Sequence, residues 1–170
     1  MTTPLSIAGV AGGYGVVGAR GYKPCASSPV VRAAGDRIEL GAPASYPSLD
    51  LAALDASGFG HTLRRHVAQD DAALHARAQR TLHDVSTFPD ARTAQSAVDE
   101  AFRENQPRIG AWLASGRRSK LRLDVHCTHP LGRVYRYDLQ TVRETSDAAV
   151  ILERSSRLPQ GYTVITAYPE

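Results

Sequence analysis

The sequence is poor in cysteine, and it has no long apolar run. Its two cysteines, Cys25 and Cys127, lie far apart and outside any Cys-x-x-Cys or Cys/His ligand spacing, which argues against a zinc site or a disulfide framework. We expect two buried or free thiols, with a single bridge as the alternative. No segment approaches the roughly 20 apolar residues that a membrane helix requires, so we expect no membrane span. The mildly apolar stretch 5–17 is rich in glycine and lacks a basic start, which makes it a poor signal peptide.

Lysine is also scarce, because only Lys23 and Lys120 accompany 18 arginines. The part up to Ser57 has four basic and four acidic residues, and the remainder has 16 and 13. Arginine binds phosphate through a planar fork, so an acidic partner such as nucleic acid is compatible with this composition. A net charge of +3 does not by itself require such a partner, and a GC-rich genome also favours arginine.

The 170 residues suit one folded domain preceded by an extension. Glycine, proline, alanine and serine dominate residues 1–50, which we interpret as a linker or loosely structured lead-in with a short strand at 36–40. The domain is expected over residues 51–170. Residues 13–18 match the Gly-x-Gly-x-x-Gly pattern of dinucleotide sites, but prolines occupy the segment where the required helix would follow. We therefore expect no cofactor.

Helical spacing precedes strand spacing in the rest of the chain. Asp or Thr residues cap several of the predicted helices, and Pro107 either kinks a helix or begins a new one. Residues 86–90 are expected to form a turn. Helices first and antiparallel strands afterwards predict an α+β domain with a β-meander. The predicted helices are 49–55, 71–82, 93–105 and 107–115, and a turn capped by Thr62 is predicted at 62–67. The predicted strands are 121–127, 132–139, 148–154 and 161–168.

Residues 60–67 concentrate two imidazoles and two guanidiniums in eight positions, with histidine at 61 and 66. Imidazole both accepts and releases a proton near neutral pH, and guanidinium holds phosphate, so the segment is a candidate site for chemistry at a phosphodiester. Two surface histidines at the start of a basic helix are the alternative. On the last strand, Thr166 and Tyr168 share one face, either as a polar pair lining a groove or as part of a solvent face. Arg77, off the apolar line of its helix, points into a cleft or into water.

Taken in order, these segments resemble the bacterial RNase A-like toxin domains at the C-termini of contact-dependent growth inhibition proteins and related polymorphic toxins. The resemblance extends over roughly residues 50–170. Two positions depart from it, since Phe59 stands where a second glycine is usual before His-Thr, and Ala68 where glycine is common after His-Val. The matching residues are Gly60-His61-Thr62-Leu63, His66-Val67, Arg77, Ser86-Thr87-Phe88, the helix 93–105, Trp112-Leu113 and Gly161-Tyr162 through Thr166-Ala167-Tyr168-Pro169.

The resemblance implies a kidney-shaped α+β ribonuclease that acts without metal or cofactor, as a monomer, and is held inactive by a cognate immunity protein. It also implies a toxin for bacterial competition, secreted or delivered by the producing bacterium, that acts in the target-cell cytoplasm and cleaves RNA to a 2′,3′-cyclic phosphate. The implied site residues are His66, Arg77, Thr166 and Tyr168, with His61 as the second choice for the imidazole.

Elementary chemistry is compatible with these roles. Attack by the 2′-hydroxyl of RNA needs a base, an acid for the leaving 5′-oxygen and positive charge at the phosphorus, and no carboxylate cluster in the sequence suggests a magnesium site. A second proton-transfer group is open among His61, His126 and His129, or a single histidine acts with help from Arg77 or Tyr168. The alternative functions are an inactive RNA- or protein-binding module on the same scaffold and a toxin that is not a nuclease.

Overall fold

The computed structural model describes residues 45–170. The predicted strand at 36–40, the glycine pattern at 13–18 and Cys25 lie outside the described residues. Helices come first along the chain and antiparallel strands follow, so the α+β class is confirmed. The helices are α1 Leu51–Ser57, α2 Thr62–His66, α3 Asp71–Thr81, α4 Ala91–Glu104 and α5 Gln106–Ala114, and the strands are β1 Val85–Thr87, β2 Leu121–His126, β3 Gly132–Arg136, β4 Thr141–Thr145, β5 Asp147–Arg154 and β6 Tyr162–Pro169.

Aspartate caps start three of the helices. The carboxylates of Asp50, Asp70 and Asp90 accept backbone N–H groups in the first turns of α1, α3 and α4, as Asp residues at this position commonly do. Pro107 lies in the first turn of α5, so it begins a separate helix. Helix α2 has no such cap: its N-cap residue is His61, whose side chain makes no capping bond, so the expectation that Thr62 caps this turn is wrong.

The strands form two three-stranded sheets with the orders β1-β3-β4 and β2-β5-β6, a division that the sequence did not indicate. All strand pairs in these sheets are antiparallel. The amphipathic helix α4 buries its apolar stripe, including Val98 and Phe102, in a core shared with β2, β5 and β6. A second, smaller cluster joins Leu74 and Ala78 of α3 to Tyr135 of β3.

Three local expectations are wrong. Residues 85–87 form strand β1 rather than a turn, because they pair with β3 and are fully buried. Strand β4 was not predicted, since most of its side chains are exposed and show no apolar alternation. Cys127 is buried and disulfide-bonded, not a free thiol.

The chain just before α1 contacts the domain. Gln106 bonds to both the backbone N–H and the carbonyl of Tyr46, and the Tyr162 hydroxyl donates to the Pro47 carbonyl. The division into a lead-in of residues 1–50 and a domain of residues 51–170 stays a prediction.

Candidate active site

The start of α2 is fixed against the last strand of the chain. Gly60 approaches β6 so closely that an added Cβ would lie 2.7 Å from the Val164 carbonyl oxygen. The His61 N–H donates to the Ile165 carbonyl at 2.9 Å. The fully buried Thr62 accepts a hydrogen bond from the Ala167 N–H on its Oγ1 at 2.9 Å. These contacts join residues more than 100 positions apart and set where both histidines lie.

A β-bulge in β6 determines which of its side chains face the core. Thr166 is paired with Ile151 and Val164 with Leu152, which leaves Ile165 as the extra residue. Val164 before the bulge and Ala167 after it are both completely buried, so the core face passes from even to odd positions. Because side chains alternate along a strand, Thr166 and Tyr168 are turned off the core face.

His66 lies at the end of α2 with only 8% of its surface exposed. Backbone bonds hold it against the residue that follows β1, since the Phe88 N–H donates to the His66 carbonyl at 2.7 Å and the Ala68 N–H to the Phe88 carbonyl at 2.9 Å. Its ring centroid lies 5.5 Å from that of Tyr168 and 6.4 Å from that of His61. Residues from α2 and from the last strand therefore meet around one imidazole.

The surroundings of His66 keep its ring neutral. Burial, followed by the charge of Arg77, lowers its pKa from 6.5 to about 4, against a smaller raising effect of the Ser86 carbonyl. Nδ1 lies 3.4 Å from that carbonyl oxygen, which only accepts hydrogen bonds, so Nδ1 carries the hydrogen. At neutral pH the other nitrogen, Nε2, is thus an unprotonated acceptor.

Arg77 brings positive charge to the same region from α3. Its Nη1 donates to the Arg65 carbonyl at 2.6 Å, one residue before His66. Burial and the charges of Arg65 and Arg80 lower the pKa of its guanidinium. The half-buried side chain lines an open depression between α2 and α3, so it points into a cleft, the first of the two predicted orientations.

Thr166 and Tyr168 present hydroxyl groups on the same face of β6. Oγ1 of Thr166 is shielded from solvent and has no hydrogen-bond partner among the described residues. A buried hydroxyl without a partner is costly, which makes this atom a candidate for binding a ligand. Within the described part of the chain, the Tyr168 hydroxyl has a single long contact, 3.5 Å to Nη1 of Arg122.

The remaining histidines considered from the sequence differ in their positions. His61 lies beside His66, and burial and the charge of Arg65 lower its pKa. His126 is exposed on β2, with Nδ1 2.6 Å from Asp147 Oδ1. His129 lies in the turn between β2 and β3. His61 is therefore the histidine that the fold brings to His66.

Residues 60–169, which include every residue of the site, match the model of the bacterial CdiA-CT RNase A domain. The chain belongs to this family. A solved relative in the CdiA-CT family, the crystal structure of a CdiA-CT/CdiI complex from Y. kristensenii, is 29% identical to the chain with a TM-score of 0.62. The match covers 65% of this chain and 99% of that one. No curated protein matches the chain significantly.

Ala68 and Phe59, the two residues at positions where the resemblance predicts glycine, both affect the local structure. Ala68 adopts a positive φ of 54°, the left-handed conformation in which glycine is favoured. Phe59 packs against the main core, and the guanidinium of Arg157 lies 4.9 Å from the centre of its ring. The first departure strains the loop after His66, and the second adds a packing contact before His61.

Two residues that contact the candidate site were not identified as site residues from the sequence. Ser86 acts through its backbone carbonyl, for which no side-chain signal exists. Arg122 is one of several exposed arginines, and only the pairing of β2, β5 and β6 brings it to Tyr168.

Among residues 45–170 no group of three or more His, Cys, Asp or Glu side chains is placed to hold a metal ion. In the same range no helix is long and apolar enough to cross a membrane.

Proposed function

We propose that the domain is a metal-independent endoribonuclease toxin that cleaves RNA through its own 2′-hydroxyl. The observation that supports this most is the meeting of a buried, neutral His66 with Tyr168 of the last strand, ring centroids 5.5 Å apart, in a region made positive by Arg77. Such a site offers a proton acceptor and a cation, two of the three requirements of phosphodiester transfer by an internal hydroxyl, the third being an acid for the leaving oxygen.

In this proposal His66 is the general base. Nε2 accepts the proton of the 2′-hydroxyl, and the 2′-oxygen attacks the adjacent phosphorus to form a 2′,3′-cyclic phosphate. A pKa of about 4 ensures the neutral form but makes a weak base in the free protein. A bound phosphate opposes the charge of Arg77, one of the causes of the low pKa, so substrate binding should raise the basicity of the imidazole.

Arg77 is assigned to the phosphate. Its guanidinium has further N–H groups besides the one bonded to the Arg65 carbonyl. These can bind the non-bridging oxygens, whose negative charge increases in the transition state. The partial burial of this side chain strengthens that interaction, because the local dielectric constant is lower than that of water.

The other side chains complete the assignment. The unpaired hydroxyl of Thr166 is available to hydrogen-bond a base edge or a phosphate oxygen. The Tyr168 ring can stack on a base, and its hydroxyl can contact the phosphate. The departing 5′-oxygen needs a proton. His61 and Tyr168, whose rings lie beside that of His66, are the two candidates for the acid that donates it.

The direct test is RNA degradation by the purified protein in the presence of EDTA. We expect the wild type to degrade RNA and His66→Ala to abolish the activity, while Tyr168→Phe lowers it by about 10-fold to 100-fold. His83→Ala, which removes an exposed histidine from the turn after α3, is the matched control. If wild-type protein binds RNA but leaves it intact, the domain is an inactive binding module instead.

Family membership supports the biological role that we propose. The solved relative is a CdiA-CT/CdiI complex, and by analogy a cognate immunity protein should neutralise this domain. The producing bacterium would deliver the toxin, which would act in the target-cell cytoplasm as a monomer. Expression of the domain should stop growth, and co-expression of the product of the neighbouring open reading frame should restore it. Growth arrest that persists in His66→Ala would contradict a nuclease mechanism.

A further inference from the structure

An arginine-rich pocket lies beside the proposed active site. It is an open depression of about 410 Å³ between α2 and α3. We call it the arginine pocket. Its lining residues are four arginines and two uncharged polar residues: Arg64, Arg65, Arg77, Arg80, Gln69 and Thr81.

The arginine pocket contains positive charge without a compensating carboxylate. Apart from Arg77, the side chains of its arginines make no hydrogen bond or ion pair within residues 45–170, and no acidic residue lines the pocket. Four arginines elsewhere in the described chain are paired with carboxylates: Arg103 with Glu100, Arg122 with Asp124, Arg133 with Asp71 and Arg136 with Asp84.

Crowding of like charges is unfavourable unless a ligand compensates it. The lowered pKa of the Arg77 guanidinium, caused by burial and then by Arg65 and Arg80, is one sign of this repulsion. An anion bound among these side chains would remove the repulsion and accept several N–H groups. Guanidinium groups bind phosphate in a bidentate manner, so a phosphate group is well suited to the pocket.

We propose that the arginine pocket binds a second phosphate of the RNA strand, next to the phosphate that is cleaved. Arg77 connects the two places, because it lines the pocket and also acts electrostatically on His66. A strand held by Arg77 at its scissile phosphate carries another phosphate on either side. One of these neighbouring phosphates is then close enough to Arg77 to enter the pocket that this residue lines. This inference rests on the proposed function.

The test measures binding of uncleavable oligonucleotides by fluorescence anisotropy. The probes are a 2′-deoxy hexanucleotide and a 2′-deoxy dinucleotide with a single phosphodiester, both lacking the attacking hydroxyl. The double variant Arg64→Ala/Arg80→Ala, the pocket variant, removes two exposed arginines from the pocket. We assign neither arginine a part in the chemistry. The matched control, Arg118→Ala/Arg143→Ala, removes the same charge from exposed positions outside the pocket.

We expect the pocket variant to bind the hexanucleotide about tenfold more weakly than the wild type does. Its affinity for the dinucleotide should stay within about twofold of the wild-type value. The slope of log affinity against log salt should decrease by about 0.7, the value for one phosphate contact on a single strand. The control variant should lose less than about threefold. Thermal unfolding should show that both variants are folded.

Three results would overturn the subsite: equal losses in the pocket and control variants, equal losses for the two probes, or no loss for the hexanucleotide. Unchanged binding of the hexanucleotide would indicate that these arginines bind another partner, such as acidic side chains of an immunity protein. Cleavage is measured separately. If the wild type cuts no RNA and the pocket variant still loses hexanucleotide binding selectively, the phosphate subsite stands and the proposed catalysis fails.

Discussion

Replacing His66 with glutamine should change how the stability of the domain depends on pH. The folded protein holds the pKa of His66 at about 4, whereas an unfolded chain has the ordinary value of 6.5. Between these values the unfolded state binds a proton that the folded state excludes. Acidification from pH 6.5 to pH 4 therefore favours unfolding, and below pH 4 both states are protonated, so the difference is constant.

The size of the effect follows from the shift. A difference of about 2.5 pH units at about 1.4 kcal/mol per unit gives a ceiling of about 3.5 kcal/mol, of which about 2.5 kcal/mol is expressed at pH 4.5. This is a large part of the stability of a typical domain. Carboxylates also titrate in this range, but they do so in both proteins, so the difference between wild type and His66→Gln isolates the imidazole.

The assay is urea unfolding at pH 7.5 and pH 4.5. The control is His83→Gln, which removes an exposed imidazole instead of the buried one. Wild-type protein should lose about 2.5 kcal/mol more than His66→Gln between the two pH values. Parallel losses in the two proteins would show that His66 is not held neutral by burial and by Arg77, and the assignment of His66 as a neutral base would lose its physical support.

Three further substitutions test how the site is positioned. Gly60→Ala should destabilise the domain by about 1–3 kcal/mol in urea unfolding, because its Cβ would lie 2.7 Å from the Val164 carbonyl oxygen; unchanged stability would contradict the close approach of this loop to β6. Thr62→Val leaves the buried Ala167 N–H without an acceptor and should cost about 1–3 kcal/mol, which Thr62→Ser should largely restore. Ala68→Gly removes the strain of a φ of 54° and should raise the free energy of unfolding by up to about 1 kcal/mol; a loss of stability would show that the strain is absent.

Much of the fold was predictable because local signals agree with the tertiary structure. The caps Asp70 and Asp90, a proline in the first turn of α5 and the apolar stripe of α4 place α3, α4 and α5 to within a few residues. Strands β1 and β4 have no such signal. The first is three residues long and buried on all sides, and the second is mostly exposed, so only long-range pairing defines them.

The candidate site shows the same contrast. Residue chemistry and family resemblance named His66, Arg77, Thr166 and Tyr168, and the fold brings His66 within 5.5 Å of Tyr168, ring to ring. The simple alternation of β6 did not reveal the bulge at Ile165, without which Thr166 and Tyr168 would share the core face of Val164. A bulge depends on pairing with another strand and has no local sequence signature here.

The chemical nature of the cleavage products tests the central claim most directly. An oligoribonucleotide incubated with the domain in EDTA should give one fragment ending in a 2′,3′-cyclic phosphate and one beginning with a 5′-hydroxyl. The same oligonucleotide with a single 2′-deoxy substitution at the cleaved position should resist cutting there. Fragments with a 3′-hydroxyl and a 5′-phosphate, or cleavage at the 2′-deoxy position, would contradict attack by the 2′-hydroxyl.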